Sequence, residues 1–435
     1  MNTNPPPSEK HRILLLNFYS VLNTKGGAEH VMSKMANAFV ERDHAVKIVF
    51  LQNAAGEPAY PLDARVELEN CAKNPVPWRW RKKVLRIRSW FIRDKNRRKA
   101  FRSHRMDQAR ACQISPAILK FRPDIIIAFQ PESACCITQY FMDRPPIITM
   151  MHASPAAFLK HPQTAFLAES DLTVVLLPEY VEQVRQLYGV THAISIPNAI
   201  EEQPPSLYES IKKEKTIICV ARISRSEKRQ HLLIEAFAEL QSQFPDWKVE
   251  FWGDTSIDSD YISELKGLIH RLGLERQIRI CGQTNTVSAV IARASIFALP
   301  SPKEGFPLAL CESLAVGVPV VCFRSCPGAN HLVRDHENGL LAEDSVDSFA
   351  LSLETLMQDE ALRQQLGRQG IEDMKAYAPE KIWNQWESVL DSVIGQHESH
   401  QPVDRQTSIF IHTHSLPSVR SSGKMNADSL MLWML

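Results

Sequence analysis

Short apolar runs alternate with helix-length amphipathic stretches along most of the chain. In the first half the runs are Ile13–Phe18, Ala45–Leu51, Asp124–Phe129, Ile147–Met151, Leu172–Leu177 and Ala193–Ile196, with near-continuous Ile, Val and Leu content. Such runs suit strands covered on both faces, as in a parallel sheet; one solvated face would instead give strict alternation. Helical stretches such as Gly27–Arg42 and Glu179–Tyr188 lie between them, which is a βαβ rhythm. The rhythm restarts with runs at Thr216–Ala221, Lys248–Trp252, Gln277–Cys281, Ile296–Leu299 and Val318–Phe323. Helices fit between these at Gln230–Gln243, Tyr261–Leu272, Val287–Ala294 and Leu308–Ala315. Pro197, Pro204 and Pro205 interrupt regular structure between the two series. The pattern predicts an α/β chain with two Rossmann-like, doubly wound domains, residues 11–196 and 215–378, joined by a hinge at 197–214. An aromatic helix within 379–396, carrying Trp383 and Trp386, is expected to return across the first domain. Residues 397–435 are rich in Ser, His and Pro without periodicity, and a disordered tail is predicted there. Ligands of such sheets bind beyond the C-terminal strand ends, so two facing domains place the main site in the cleft between them.

Composition narrows the class. With 435 residues, 44% apolar and 23% charged, the chain is globular and long enough for sizeable cores. Collagen, low-complexity scaffolds and wholly disordered chains are excluded. No apolar stretch approaches the roughly 20 residues that cross a bilayer. The run Ile13–Leu16 is too short for a secretion signal's core. The nine cysteines show no Cys-x-x-Cys and no zinc spacing, which predicts buried, reduced thiols in a cytoplasmic protein; separately, no metal site and no cofactor are expected.

The net charge of +1 conceals an asymmetry. Segment 79–105 holds thirteen Lys and Arg against one acid, Asp94, so the rest of the chain is net negative. Within it Trp80, Val84, Ile87 and Phe91 fall on one helical stripe, flanked by Trp78 and Trp90. A basic amphipathic helix with aromatics reads as an element that lies on an anionic membrane surface. A solvated helix packed on its own domain is the other reading, and nucleic acid is not expected as a partner.

Four places carry candidate chemistry. In Ser301-Pro-Lys-Glu304-Gly305-Phe306-Pro307-Leu308 a buried strand runs into a turn and then a helix, whose N-terminus is suited to an anion. Pro307 fits the first helical turn, where its missing N–H is not needed. Glu304 precedes this helix and Glu312 lies within it; their spacing suits either a pair bracketing a ligand or a surface Glu and a capping Glu. Arg222 and Lys228 stand at a strand-end and helix-start junction, where two cations suit a diphosphate or a plain solvated loop. Gly26 and Gly27 open the helix after the first strand and allow close backbone approach, but not as the G-x-G-x-x-G dinucleotide fingerprint, which argues against hydride transfer. His152 ends the run Ile147–Met151, as a structural His or as one facing the cleft.

In this order Gly26-Gly27-Ala28-Glu29, Pro197-Asn198, Arg222…Lys228 and Glu304-Gly-Phe-Pro…Glu312 resemble glycosyltransferase family 4, the retaining GT-B enzymes, over roughly residues 12–395. Within that family the chain is similar to bacterial amylovoran and lipopolysaccharide-type polysaccharide transferases. The resemblance implies catalytic roles for Arg222, Lys228, Glu304 and His152, and donor binding by Gly26, Gly27, Gly305, Phe306, Pro307, Leu308 and Glu312. Arg222 and Lys228 would hold the donor diphosphate, Glu312 the ribose, and Glu304 and His152 the reacting sugar. The expected reaction moves a hexosyl unit from a nucleotide-sugar, a UDP-sugar by preference, to a lipid-linked polysaccharide or lipopolysaccharide acceptor. It would be metal-independent, at the inner face of the cytoplasmic membrane. A non-catalytic sugar-nucleotide-binding subunit on the same fold is the alternative. Two departures stand out: Ala199 and Glu201 where the family often has Gly and Asp at the hinge, and Thr255 where it commonly has another Gly.

Overall fold

A computed structural model describes residues 10–399 except 20, 24–25, 77–89, 91, 93, 160–161, 205–210 and 257. The stripe Trp80, Val84, Ile87 and Phe91, and the tail from residue 400, lie outside the described residues.

The first sheet has seven parallel strands: β1 (Arg12–Asn17), β2 (Ala45–Phe50), β3 (Glu67–Asn70), β4 (Ile125–Ala128), β5 (Ile147–Met151), β6 (Leu172–Val175) and β7 (Ala193–Ser195). Their order is β3-β2-β1-β4-β5-β6-β7, so the chain reverses direction between β1 and β4. Helices α1 (Gly27–Glu41), α2 (Lys95–Phe121), α3 (Pro131–Tyr140) and α4 (Pro178–Tyr188) cover it. Successive residues of a strand face opposite sides. Accordingly Ile13 and Leu15 join the core beside α1, while Leu14 and Leu16 join the core beside α2 and α3.

The second sheet holds β8 (Thr216–Val220), β9 (Lys248–Trp252), β10 (Ile278–Gly282), β11 (Ile296–Leu299), β12 (Val320–Phe323) and β13 (Gly339–Ala342), in the order β10-β9-β8-β11-β12-β13. Its reversal lies between β8 and β11. Around it run α5 (Gln230–Leu240), α6 (Ser259–Arg271), α7 (Val287–Arg293), α8 (Leu308–Ala315), α9 (Ala329–Leu332), α10 (Val346–Gln358) and α11 (Glu360–Met374). The α/β class and the paired doubly wound sheets agree with the sequence pattern. All nine cysteines are free, and seven are buried.

Helix α12 (Pro379–Ser399) runs three residues into the segment predicted as disordered tail. It lies on the first domain. Ile382, Trp383, Trp386, Leu390, Val393 and Ile394 form its buried stripe, with both Trp rings edge-on to Phe39 of α1 at 6.2 and 6.4 Å. Two carboxylates complete the seat: Asp391 pairs with His11 at 2.8 Å and Glu387 with His44 at 2.9 Å. His44 Nδ1 accepts the main-chain N–H of His11 at 3.0 Å, so its Nε2 carries the proton donated to Glu387. Trp386, 1% exposed, is the largest fully buried side chain of this contact. Trp386→Ala is expected to destabilise the protein by about 3–5 kcal/mol, read as a lower denaturant midpoint in chemical unfolding.

Candidate active site

Both sheet reversals open toward the cleft, and the sequence-predicted residues follow the strand ends there. After β8 the loop 222–229 folds over the buried side chain of Gln230: Gln230 Nε2 donates to the Arg222 carbonyl (2.8 Å), and its Oε1 accepts the Ser224 N–H (3.3 Å). The Lys228 and Arg229 amides close back on the Ser224 carbonyl, both at 3.1 Å. This turn aims Lys228 at Glu304, with Nζ 2.5 Å from Oε1. The pair is 17% and 10% exposed, so water screens it only weakly. Arg222 does not join the pair; its guanidinium meets Glu227 at 2.8 Å, and both groups are about half exposed. Gly253 crosses so near the Ala221 carbonyl that no Cβ fits.

After β11 the chain makes the Glu304–Gly305 turn. The Glu304 amide donates to Pro327 (2.9 Å), and its carbonyl accepts the Tyr180 hydroxyl (3.0 Å). A Cβ at Gly305 would lie 2.5 Å from the His152 carbonyl and 2.8 Å from Ala153 Cα, so only glycine allows the two domains to meet here. Phe306 is buried edge-to-face on Tyr377 at 5.6 Å. Pro307 is the cap before α8 and not its first turn; its carbonyl accepts the amides of Leu310 (3.0 Å) and Cys311 (3.1 Å). Leu308, first residue of α8, comes within 3.6 Å of the Cβ position of Gly27, so the N-termini of α1 and α8 face one another across the cleft. The Glu29 carboxylate folds back over Gly26 at the start of α1.

His152 stacks on Phe129 at 5.0 Å, and burial lowers its pKa to about 4. Its ring is therefore neutral near pH 7, and its buried Nε2 has no hydrogen-bond partner among the described residues. On α8 burial raises Glu312 to about 7, opposed by the charge of Lys34 on α1.

The structure thus brings Lys228, Glu304, Gly305 and His152 together, and sets Gly27 against Leu308. Arg222 stands apart, paired with Glu227. Sequence reasoning passed over Tyr180 and the α1 side of the cleft. There His30 stacks on Tyr60 at 4.5 Å and, by burial with Lys34 adding, falls to about 4. Tyr60 rises to about 12, chiefly by burial, with Glu29 and Glu312 adding. Lys34 reaches Glu201 at 3.3 Å. The spacing of His30 and Lys34, four apart on α1 just beyond the glycine pair, was the available signal.

No group of three or more His, Cys, Asp or Glu suited to a metal occurs among the described residues. In the only Asp-x-Asp, Asp258 caps α6 by accepting the Tyr261 amide at 3.1 Å. No described helix is long and apolar enough to cross a membrane.

Comparison with known proteins gives two adjoining family matches, Glycosyltransferase Family 4 over residues 25–203 and Glycosyl transferases group 1 over 202–373. The chain is 32% identical over 52% of its length to an exopolysaccharide phosphotransferase of Streptomyces coelicolor, spanning only 24% of that protein. It is 23% identical to a Campylobacter jejuni GalNAc-α-(1→4)-GalNAc-α-(1→3)-diNAcBac-PP-undecaprenol α-1,4-N-acetyl-D-galactosaminyltransferase, covering 88% of this chain and 99% of that one. Among solved structures, a Staphylococcus aureus TarM variant in complex with fondaparinux, α-GlcNAc-glycerol and UDP matches with a TM-score of 0.68 at 14% identity, covering 87% of this chain and 99% of that one. The facing parallel sheets, the cleft between them and the two family matches together show that this chain belongs to the GT-B glycosyltransferases of family 4.

Proposed function

We propose that the protein is a retaining, metal-independent hexosyltransferase. It moves a sugar from a nucleotide donor, a UDP-sugar, to a lipid-linked saccharide in cell-surface polysaccharide or lipopolysaccharide assembly. The observation that carries this reading is the shielded Lys228–Glu304 pair, set at the domain contact beside His152. The named activities of the Streptomyces and Campylobacter relatives support the polysaccharide class and the lipid-linked acceptor. UDP in the TarM structure supports the donor class.

The chemistry follows from charge. Cleaving a sugar–diphosphate bond builds positive charge on the sugar ring and negative charge on the leaving phosphate. Fixed donors aimed at developing charge lower the barrier most. Lys228 already lies in the cleft, and Arg222, half exposed, has freedom to turn from Glu227 to a diphosphate. The start of α8 adds its N–H groups and the positive end of its dipole. These cations take the part that a metal plays in other transferases; Asp258, the first acid of the Asp-x-Asp motif, is engaged as a helix cap. Glu304 faces the sugar, Glu312 the ribose, and the neutral His152 offers its free Nε2 as a hydrogen-bonding group to the reacting sugar. Same-face attack without an enzyme nucleophile would retain the anomeric configuration.

The acceptor side is read from charge. Helix α2 begins inside the basic segment 79–105, and Trp90 beside it is 75% exposed. Near anionic lipid each Lys or Arg contributes about 1 kcal/mol. This favours a peripheral position at the inner face of the cytoplasmic membrane.

Purified protein screened against a nucleotide-sugar panel is expected to show a thermal shift with a UDP-hexose and to retain transfer in EDTA; a strict divalent-ion requirement would overturn metal independence. The Arg222→Ala/Lys228→Ala pair is expected to lower kcat by about 10²–10³-fold or more, measured by nucleotide release. Glu312 binds more protons folded than unfolded between its ordinary value and about 7, so its contribution to stability falls as pH rises through that window. Glu312→Gln is therefore expected to be more stable than wild type at pH 8, by about 1–3 kcal/mol, with the difference vanishing below about pH 4.5 in urea titrations. Flotation with anionic vesicles should carry the protein upward and neutral vesicles should not; equal behaviour would remove the membrane reading.

A further inference from the structure

Glu304 is held from three sides. Its amide donates to Pro327 and its carboxylate takes Lys228, both grips from the second domain. Its carbonyl accepts the hydroxyl of Tyr180, which belongs to α4 of the first domain. Tyr180 is 1% exposed, with its ring in the apolar core that continues from the first domain into the second. A buried phenol needs a partner for its hydroxyl, and this one finds it across the domain boundary. The neighbouring atoms tighten the same joint. Gly305 lies against the main chain of His152 and Ala153, and Glu179, preceding Tyr180 on α4, pairs with His331 of α9 at 3.2 Å.

The groups read as holding the nucleotide differ from this arrangement. The side chains among them, Arg222, Lys228 and Glu312, belong to the second domain and keep their places however the first domain sits, while the Gly26–Gly27 backbone moves with the first domain. The Glu304–Gly305 turn, by contrast, is bonded to both. If the domains part, the Tyr180 hydroxyl leaves the carbonyl, and the turn keeps only its second-domain grips.

We propose that Tyr180 is a positioning residue. It ties the Glu304–Gly305 turn to the first domain, so that the turn carrying the Lys228–Glu304 pair is held from both sides only when the acceptor and donor domains are together. The proposal rests on the reading of Glu304 as the residue that meets the donor sugar. It adds a dependence of that residue on the opposite domain.

Tyr180→Phe keeps the ring and removes the hydroxyl. Amide hydrogen exchange of the full chain is read in peptides covering residues 300–307, with β8 and β12 as internal references. Loss of one neutral hydrogen bond is expected to speed exchange at 304–306 by about five-fold, with the two reference strands and the melting temperature unchanged. In turnover assays kcat falls by a similar factor while the donor KM stays within about two-fold, because donor binding does not use the contact. The double variant Tyr180→Phe/Glu304→Gln is expected to be no slower than Glu304→Gln alone, since Tyr180 acts through Glu304. Unchanged exchange at 304–306 overturns the proposal. So does general acceleration that includes β8 and β12, which would make Tyr180 only a core side chain, and so do kcat losses that multiply in the double variant. Failure of the wild type to transfer sugar would count against the proposed function, and the exchange arm would then decide the role of Tyr180 by itself.

Discussion

The constraint behind everything else is that two all-parallel sheets must be covered on both faces. Parallel strands need crossover helices, and those helices fill both sides, so every strand ends at the same edge with nowhere but that edge for a ligand. The order of each sheet reverses once, between β1 and β4 and between β8 and β11. At such a reversal neighbouring connections leave in opposite directions and open a crevice. Facing the two edges toward each other places loop 222–229, the Glu304–Gly305 turn, the start of α1 and His152 around one space. Residues far apart in sequence become one constellation because both domains obey the same topology.

Within that space one charge pair sets the electrostatics. Lys228 and Glu304 are mostly shielded, so their mutual field is stronger than that of exposed pairs such as Arg222–Glu227. An exposed pair contributes little and is easily exchanged for a ligand. A shielded pair resists separation unless the incoming groups replace both charges. In the proposed reaction the donor's phosphates give Lys228 an anion and the sugar's hydroxyls give Glu304 hydrogen-bond donors, so each charged group keeps a partner. Neutral His152 and His30 fit the same logic, since further fixed positive charge would bind the leaving phosphate whether or not the bond had broken.

Legibility in the sequence followed how local each signal was. Short, fully buried strands such as β5 (Ile-Ile-Thr-Met-Met) and β11 (Ile-Phe-Ala-Leu) were legible to the residue. Strand β3 was not, because as an edge strand paired only with β2 it reads Glu-Leu-Glu-Asn with little buried surface. Much of α2 is basic, which hides its inward stripe Ala111, Ile114, Ala117 and Ile118. The motif positions 26–27, 222–228 and 304–312 were legible because a loop at a strand end carries its chemistry in consecutive residues. Their pairing was not: spacing offered Arg222 and Lys228 as equals, and only the fold over Gln230 shows that Lys228 turns to Glu304 while Arg222 turns outward. Tyr180 and Tyr60 were silent, since nothing in an amphipathic helix or a loop announces which distant residue it meets.

Helix α12 adds a consequence for motion. The chain crosses between domains twice, at the segment after β7 and again before α12, and the Ile200 amide bonds the Tyr377 carbonyl (2.9 Å) where the crossings meet. Because α12 is seated on the first domain by its Trp rings and two His–carboxylate pairs, it moves with that domain although it follows the second in sequence. Two parallel tethers restrict relative motion more than a single linker does: they favour a hinge through their meeting point over free separation. Closure about such a hinge returns Gly305 to His152 and Ala153 along one path. A glycine there is then a requirement of the motion as well as of the contact, because any Cβ would meet the opposing main chain before the domains were fully together.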